Sequence, residues 1–170
     1  MDAKEISELL GLDEEYIKDR LALIRLIESL KTPEEAKKWH KSCNAETQPL
    51  VMEKWVELTT EAISLLKTPK EANSLYYKCP PEMDSAVINR WIELTGEAIP
   101  RLKTPKEAKN LYYKCPPEMD SAVMQKWIEL VKKAIPLLKT PEEVQELHRN
   151  CPPEMELGIV LDIIRTLQKM

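Results

Sequence analysis

A chain of 170 residues that is 43% hydrophobic and 32% charged is long enough to bury a core in one domain and too apolar to stay disordered. Three glycines and no phenylalanine speak against a β-rich fold, and apolar runs of only a few residues leave nothing to span a membrane. With a net charge of −4, a pI near 5.4 and an acidic N-terminus without a signal-peptide core, the expectation is a soluble, cytoplasmic protein.

Residues 1–30 end in Ser29-Leu30 before Lys31-Thr32-Pro33, close to the Leu-Leu-Lys-Thr-Pro at 65–69 and 137–141. They are predicted to form a capping helix or helix pair that stands in for a missing repeat. Lys-Thr-Pro recurs at 31–33, 67–69, 103–105 and 139–141, a period of 36. It divides one repeat domain, 1–170, into three full repeats (31–66, 67–102, 103–138) and a shortened one, 139–170. Repeats two and three agree at 27 of 36 positions. Periods of this length belong to arrays of small units that bury their apolar faces against one another.

Each repeat opens with a helix, here helix A. Thr32, Thr68, Thr104 and Thr140 are placed to cap it, proline follows at the first helical position, and Glu35, Glu71, Glu107 and Glu143 complete a capping box. Helix A should run about ten residues, to the Cys-Pro-Pro that closes it in repeats two to four. Its stripe in repeat two is Ala72, Leu75, Tyr76 and Cys79.

The second proline is suited to start helix B, predicted to run about 18–20 residues, a length set by the spacing to the next Lys-Thr-Pro. Pro100 and Pro136 should kink it or stop it early, whereas Ser64 holds the same place in repeat one. Met83, Val87, Trp91, Leu94 and Ala98 form one stripe of helix B; Ile88, Ile92, Thr95, Ile99 and Leu102 form a second. A helix apolar on two sides has neighbours on two sides, so the duplicated sequence supplies the partner surface.

This helix–turn–helix layout resembles the α-solenoid class that includes tetratricopeptide, pentatricopeptide and HEAT repeats. The resemblance covers about residues 31–170 and rests on repeat length and layout. The tetratricopeptide side-chain pattern is not followed, since tryptophan lies in helix B, and no functional residue carries over. What it implies is an all-α, right-handed α-α superhelix, a short solenoid.

Chemistry-bearing residues are few. Cys43, Cys79, Cys115 and Cys151 recur every 36 residues, a spacing that in stacked helices keeps them beyond disulfide reach, so they are expected as thiols. His40–Cys43 and His148–Cys151 resemble half of a zinc site, but Tyr76–Cys79 and Tyr112–Cys115 fill the same slots, which makes them packing positions. Trp55, Trp91 and Trp127 share one helix B position and are expected in the core rather than as a ligand platform; Trp39 takes a helix A slot held elsewhere by leucine. No nucleophile–base pair and no glycine-rich phosphate loop is present, so no catalysis, cofactor or metal is expected.

Charge is distributed unevenly. The four helix A segments carry +2, +2, +3 and −1, the four helix B segments −3, −2, 0 and −1, and residues 1–30 carry −4. Tyr77 and Tyr113 lie about 200° around helix A from its core leucines, as the helical repeat dictates, and Lys78 and Lys114 follow them. Lys41 and Arg149 take the tyrosine position in the outer repeats. Such a row suits an acidic peptide or protein partner, with the tyrosines as anchors. Nucleic acid is the second expectation for the same face, and the low pI weighs against it. Near the C-terminus, Leu157, Val160, Leu161 and Ile164 make the last helix more apolar than its counterparts, which points to a homodimer through that repeat.

Overall fold

The computed structural model describes residues 2–155 and Gly158; Leu157, Val160, Leu161 and Ile164 of the expected dimer surface lie outside the described residues. Among the described residues the chain is all-α, and helices adjacent in sequence pack on one another within two compact units. The first unit is Met1–Leu65 with Tyr77–Ser85; the second is Leu66–Tyr76 with the described residues from Ala86 on. The boundary between them falls inside repeat two rather than between repeats.

In the first unit, residues ahead of the repeats form the helix pair α1 (Ala3–Leu10) and α2 (Glu14–Glu28). Asp2 and Glu5 make a capping box on α1, and Gly11 ends it at φ +67°, a left-handed conformation that glycine adopts without steric cost. Asp13 caps α2. Repeat one supplies α3 (Pro33–Ser42) and α4 (Gln48–Leu65). It lacks the Pro-Pro pair, and Asn44 takes over, its side-chain oxygen accepting from the Thr47 N–H at 3.0 Å just ahead of α4. Helix α3 packs on α4, which also meets α2, around Ala36, Trp55 and Leu58.

The second unit contains α5 (Pro69–Tyr76), all but the first two residues of α6 (Asp84–Ala98), α7 (Pro105–Tyr112), α8 (Asp120–Ala134) and α9 (Pro141–Arg149). Its largest core cluster joins Ala108, Trp127, Leu130, Val131, Ile135 and Leu147.

The capping boxes form as the sequence requires. The Glu71, Glu107 and Glu143 N–H groups donate to the Thr68, Thr104 and Thr140 hydroxyls at 3.2–3.3 Å, while the glutamate carboxylates accept from the threonine N–H groups at 3.0–3.2 Å. Each carboxylate also accepts from the preceding lysine N–H, which holds Glu71 and Glu107 below the ordinary carboxylate range. In α3 the Glu35 N–H donates to the Thr32 hydroxyl at 3.2 Å and the Glu35 carboxylate accepts from the Lys31 N–H at 2.8 Å.

Helix B is shorter than expected in the middle repeats. Pro81 and Pro117 open 3₁₀ turns, Pro81–Met83 and Pro117–Met119, and the α-helices begin only after them, at Asp84 and Asp120. At the other end Pro100 and Pro136 lie in further 3₁₀ turns, Ile99–Arg101 and Ile135–Leu137. Proline cannot donate the i→i−4 bond, so the helix tightens and stops. With Ser64 in that place, α4 stays α-helical through Leu65.

The core repeats with the sequence. Ala36, Ala72 and Ala108 are fully buried, as are Val51, Val87 and Val123; the columns of Trp55, Trp91 and Trp127 and of Leu58, Leu94 and Leu130 are buried with them. An alanine with no exposure marks where helix A comes too close to its neighbour for a larger side chain. Each tryptophan removes roughly 150–250 Å² from water, which at about 25 cal/mol per Å² contributes on the order of 4–6 kcal/mol before entropy is charged.

Candidate functional site

The C-terminal ends of the A helices are held by two kinds of bond. The indole N–H of Trp55 donates to the Lys78 carbonyl at 2.8 Å, that of Trp91 to the Lys114 carbonyl at 2.9 Å, and that of Trp127 to the Asn150 carbonyl at 2.7 Å. In every case the acceptor belongs to the residue just before the next repeat's Cys, 23 residues on. The same rings pack against helix A of their own repeat: His40 lies 5.6 Å from Trp55, Tyr76 5.9 Å from Trp91 and Tyr112 5.6 Å from Trp127, measured between centroids. His40 is therefore a packing residue in the slot tyrosine fills elsewhere. The tryptophan carbonyls accept from the buried hydroxyls of Thr59 and Thr95 at 2.8 Å, and Val131 takes that position in repeat three.

The second kind of bond is cationic. The Lys37 ammonium donates to the Tyr77 carbonyl, and the Lys109 ammonium to the Arg149 carbonyl at 2.5 Å. The Lys109 bond places a positive charge at the negative end of α9. Lys41 and Tyr113 follow Lys37 and Lys109 by four residues, one helical turn further along the chain.

Of the six residues expected to receive a partner, Lys41, Tyr77, Tyr113, Lys114 and Arg149 are exposed, the two tyrosines at 68% and 65%. Tyr113 is nonetheless supported: its ring meets Tyr112 edge-on at 5.6 Å, and Tyr112 leans on Trp127. Lys78 differs from the expectation. It is half-buried and pairs with Glu34 at 3.0 Å, and its hydrogen bond and charge hold the Glu34 carboxyl below its ordinary value. This ion pair lies within the first unit, and the Lys78 side chain keeps 41% of its surface exposed. The Tyr112–Trp127 support, the tryptophan acceptors and the lysine bridges were not read from the sequence, because each joins residues on different helices.

All four cysteines are thiols. Cys79 and Cys115 are buried and donate to the carboxylates of Asp84 and Asp120 at 3.4 and 3.3 Å. Burial, followed by that carboxylate, pushes each thiol up to about 12, the opposite of what a nucleophile needs. Among the described residues no three His, Cys, Asp or Glu side chains converge as a metal-binding group, and no helix is long and apolar enough to cross a membrane.

No known protein family, characterised protein or solved structure matches this chain. Its repeat character stands on its own sequence and on the packing of neighbouring helices.

Proposed function

We propose that this chain is a non-catalytic protein–protein interaction scaffold, a short right-handed α-solenoid that binds an acidic peptide or protein through the ends of its A helices. The observation that carries this reading is Tyr113. It is 65% exposed, braced through Tyr112 on the Trp127 core, and followed in the chain by the exposed Lys114. A tyrosine held in place loses little entropy on binding, and its ring and hydroxyl serve an apolar and a polar contact together. Lys41 and Tyr77 are both exposed in the first unit. The pI near 5.4 favours a protein over a nucleic acid as the partner.

The test is fluorescence anisotropy with a labelled acidic peptide against the native chain, Tyr113→Ala and Arg149→Ala. The tyrosine substitution should weaken binding about tenfold, the range of an interface anchor, while the fold persists by circular dichroism. Unchanged affinity in both variants overturns the reading, and tighter, steeply salt-dependent binding to a single-stranded oligonucleotide replaces it with nucleic-acid recognition.

A further inference from the structure

A second surface, separate from the A-helix ends, lies in the first unit between α2 and α4. There a groove of about 240 Å³ opens between the two helices. Its apolar part is Ile24, Ile27 and Leu50, with Ile27 buried and the other two 42% and 43% exposed. Glu28, Glu53 and Glu57 stand along it. Its one cation is Lys54, which bonds both oxygens of Glu57 at 3.0 Å. The groove thus presents exposed apolar side chains beside Glu28 and Glu53, two carboxylates with no cation of the groove paired to them.

The repeat shows which of these features belong to every repeat and which to this groove alone. Ile27 corresponds to Ile63 and Ile99, and the Lys54–Glu57 pair to Arg90–Glu93 and Lys126–Glu129, which form ion pairs at 2.9 and 3.0 Å. Those residues are the common framework. Four others depart from it. Ile24 stands where the later repeats have Thr60, Gly96 and Lys132, and Leu50 where they have Ala86 and Ala122. Glu28 stands in place of Ser64 and Pro100, and Glu53 in place of Asn89 and Gln125. At three of these positions the counterparts named are all small or neutral, and Ile24 answers to a threonine, a glycine and a lysine. Packing alone does not call for this, since Ile24 and Leu50 each keep about two fifths of their surface exposed.

We infer that the α2–α4 groove is a docking site for a basic amphipathic helix of a partner protein. Apolar residues spaced at i, i+3 and i+4 on such a helix would cover Ile24 and Leu50 and reach Ile27, and flanking lysines or arginines would meet Glu28 and Glu53. This is the helix-in-groove mode, with opposite charges setting approach and orientation. A second copy of this chain is a poorer match: its apolar segment at 151–170 carries a net charge of −1 and would bring Asp162 and Glu156 to an acidic rim.

The repeats themselves supply substitutions that the framework accommodates. Ile24→Thr with Leu50→Ala, and Glu28→Ser with Glu53→Asn, install the residues found 36 positions on, Thr60 and Ser64 in repeat one and Ala86 and Asn89 in repeat two. The probe is a fluorescein-labelled model helix of leucine and lysine with leucines at helical spacing. Its anisotropy is followed against the native chain and both double variants at low and moderate salt, with circular dichroism confirming each fold. The native chain should bind saturably, and each double variant should weaken binding at least about tenfold, the loss expected of interface anchors. The charge variant should also flatten the salt dependence. Absence of saturable binding to the native chain, or equal affinity across all three proteins, overturns the inference. It is equally overturned if the native chain is a dimer by molecular mass that the apolar variant returns to a monomer, since a second copy would then occupy the groove.

Discussion

Asn73 interrupts a series of lysines, and replacing it should stabilise the protein. Lys37 and Lys109 each reach the carbonyl of the residue 40 positions ahead, Tyr77 and Arg149. Asn73 holds the corresponding place in repeat two, where the carbonyl 40 residues on is that of Tyr113. The shorter amide makes no such bond, and its Oδ1 is buried without a hydrogen-bond partner. Asn73→Lys should remove that orphaned oxygen, worth about 1–3 kcal/mol if fully desolvated, and add a cation at a helix C-terminus, worth about 0.3–1 kcal/mol. Ordering a lysine side chain offsets up to about 1.5–2 kcal/mol of this. The net expected is a gain of about 1 kcal/mol, or roughly 2–4 °C in Tm for a chain of this size. Lysine also propagates helix better than asparagine by a few tenths of a kcal/mol, so Asn73→Met, with the same propensity and no charge, is the control. Thermal and urea unfolding of the three proteins decide the matter. If Asn73→Lys is no more stable than Asn73→Met, or its advantage survives high salt unchanged, the cation is not acting on the Tyr113 carbonyl.

Trp127→Phe should cost about 2–3 kcal/mol in urea unfolding, since it loses the bond to Asn150 and leaves a void beside a fully buried ring. Thr95→Val should change stability by less than about 0.5 kcal/mol, because Val131 already occupies that position in the next repeat; a large loss would mean the Thr95–Trp91 bond is worth more than its counterpart suggests. Thr104→Ala should cost about 1 kcal/mol through loss of the α7 cap. For the thiols of Cys79 and Cys115 the folded state favours the protonated form, so between the ordinary thiol range and about 12 the unfolded chain binds fewer protons and stability falls as pH rises. That alkaline loss should be shallower in Cys79→Ala/Cys115→Ala, and in the native chain both thiols should resist a disulfide reagent at neutral pH; prompt labelling of either would contradict the geometry.

What could be read in the sequence divides by distance along the chain. Thr-Pro-x-Glu announces its helix start because the capping bonds join residues three apart, and all four starts lie where those letters put them. The early end at Pro100 and Pro136 is equally local. Helix B was expected too long because Pro81 and Pro117 open a 3₁₀ turn, a choice between two tight conformations that the letters leave undecided. The outward placement of Tyr77 and Tyr113 followed from helical rotation alone. Lys78 did not follow, because its partner Glu34 lies 44 residues away and sequence periodicity says nothing about which surface lysine meets which carboxylate. The tryptophan bonds left a faint trace: a constant interval between each tryptophan and the next Cys, visible as spacing but silent about where the N–H points.

That interval makes the number of repeats an integer quantity. Each tryptophan donor is satisfied by backbone of the following repeat, so a repeat inserted or removed as a block of 36 residues hands the indole at the junction a new acceptor of the same kind. Excision of residues 67–102 would pass Trp55 from the Lys78 carbonyl to that of Lys114 without leaving a donor stranded. A cut of any other length breaks the count and strands one. The fourth repeat carries Ile163 at this position, a side chain with no N–H to place, and so asks for no carbonyl beyond itself. The whole repeat is thereby the unit in which the length of this chain can change while each indole keeps an acceptor.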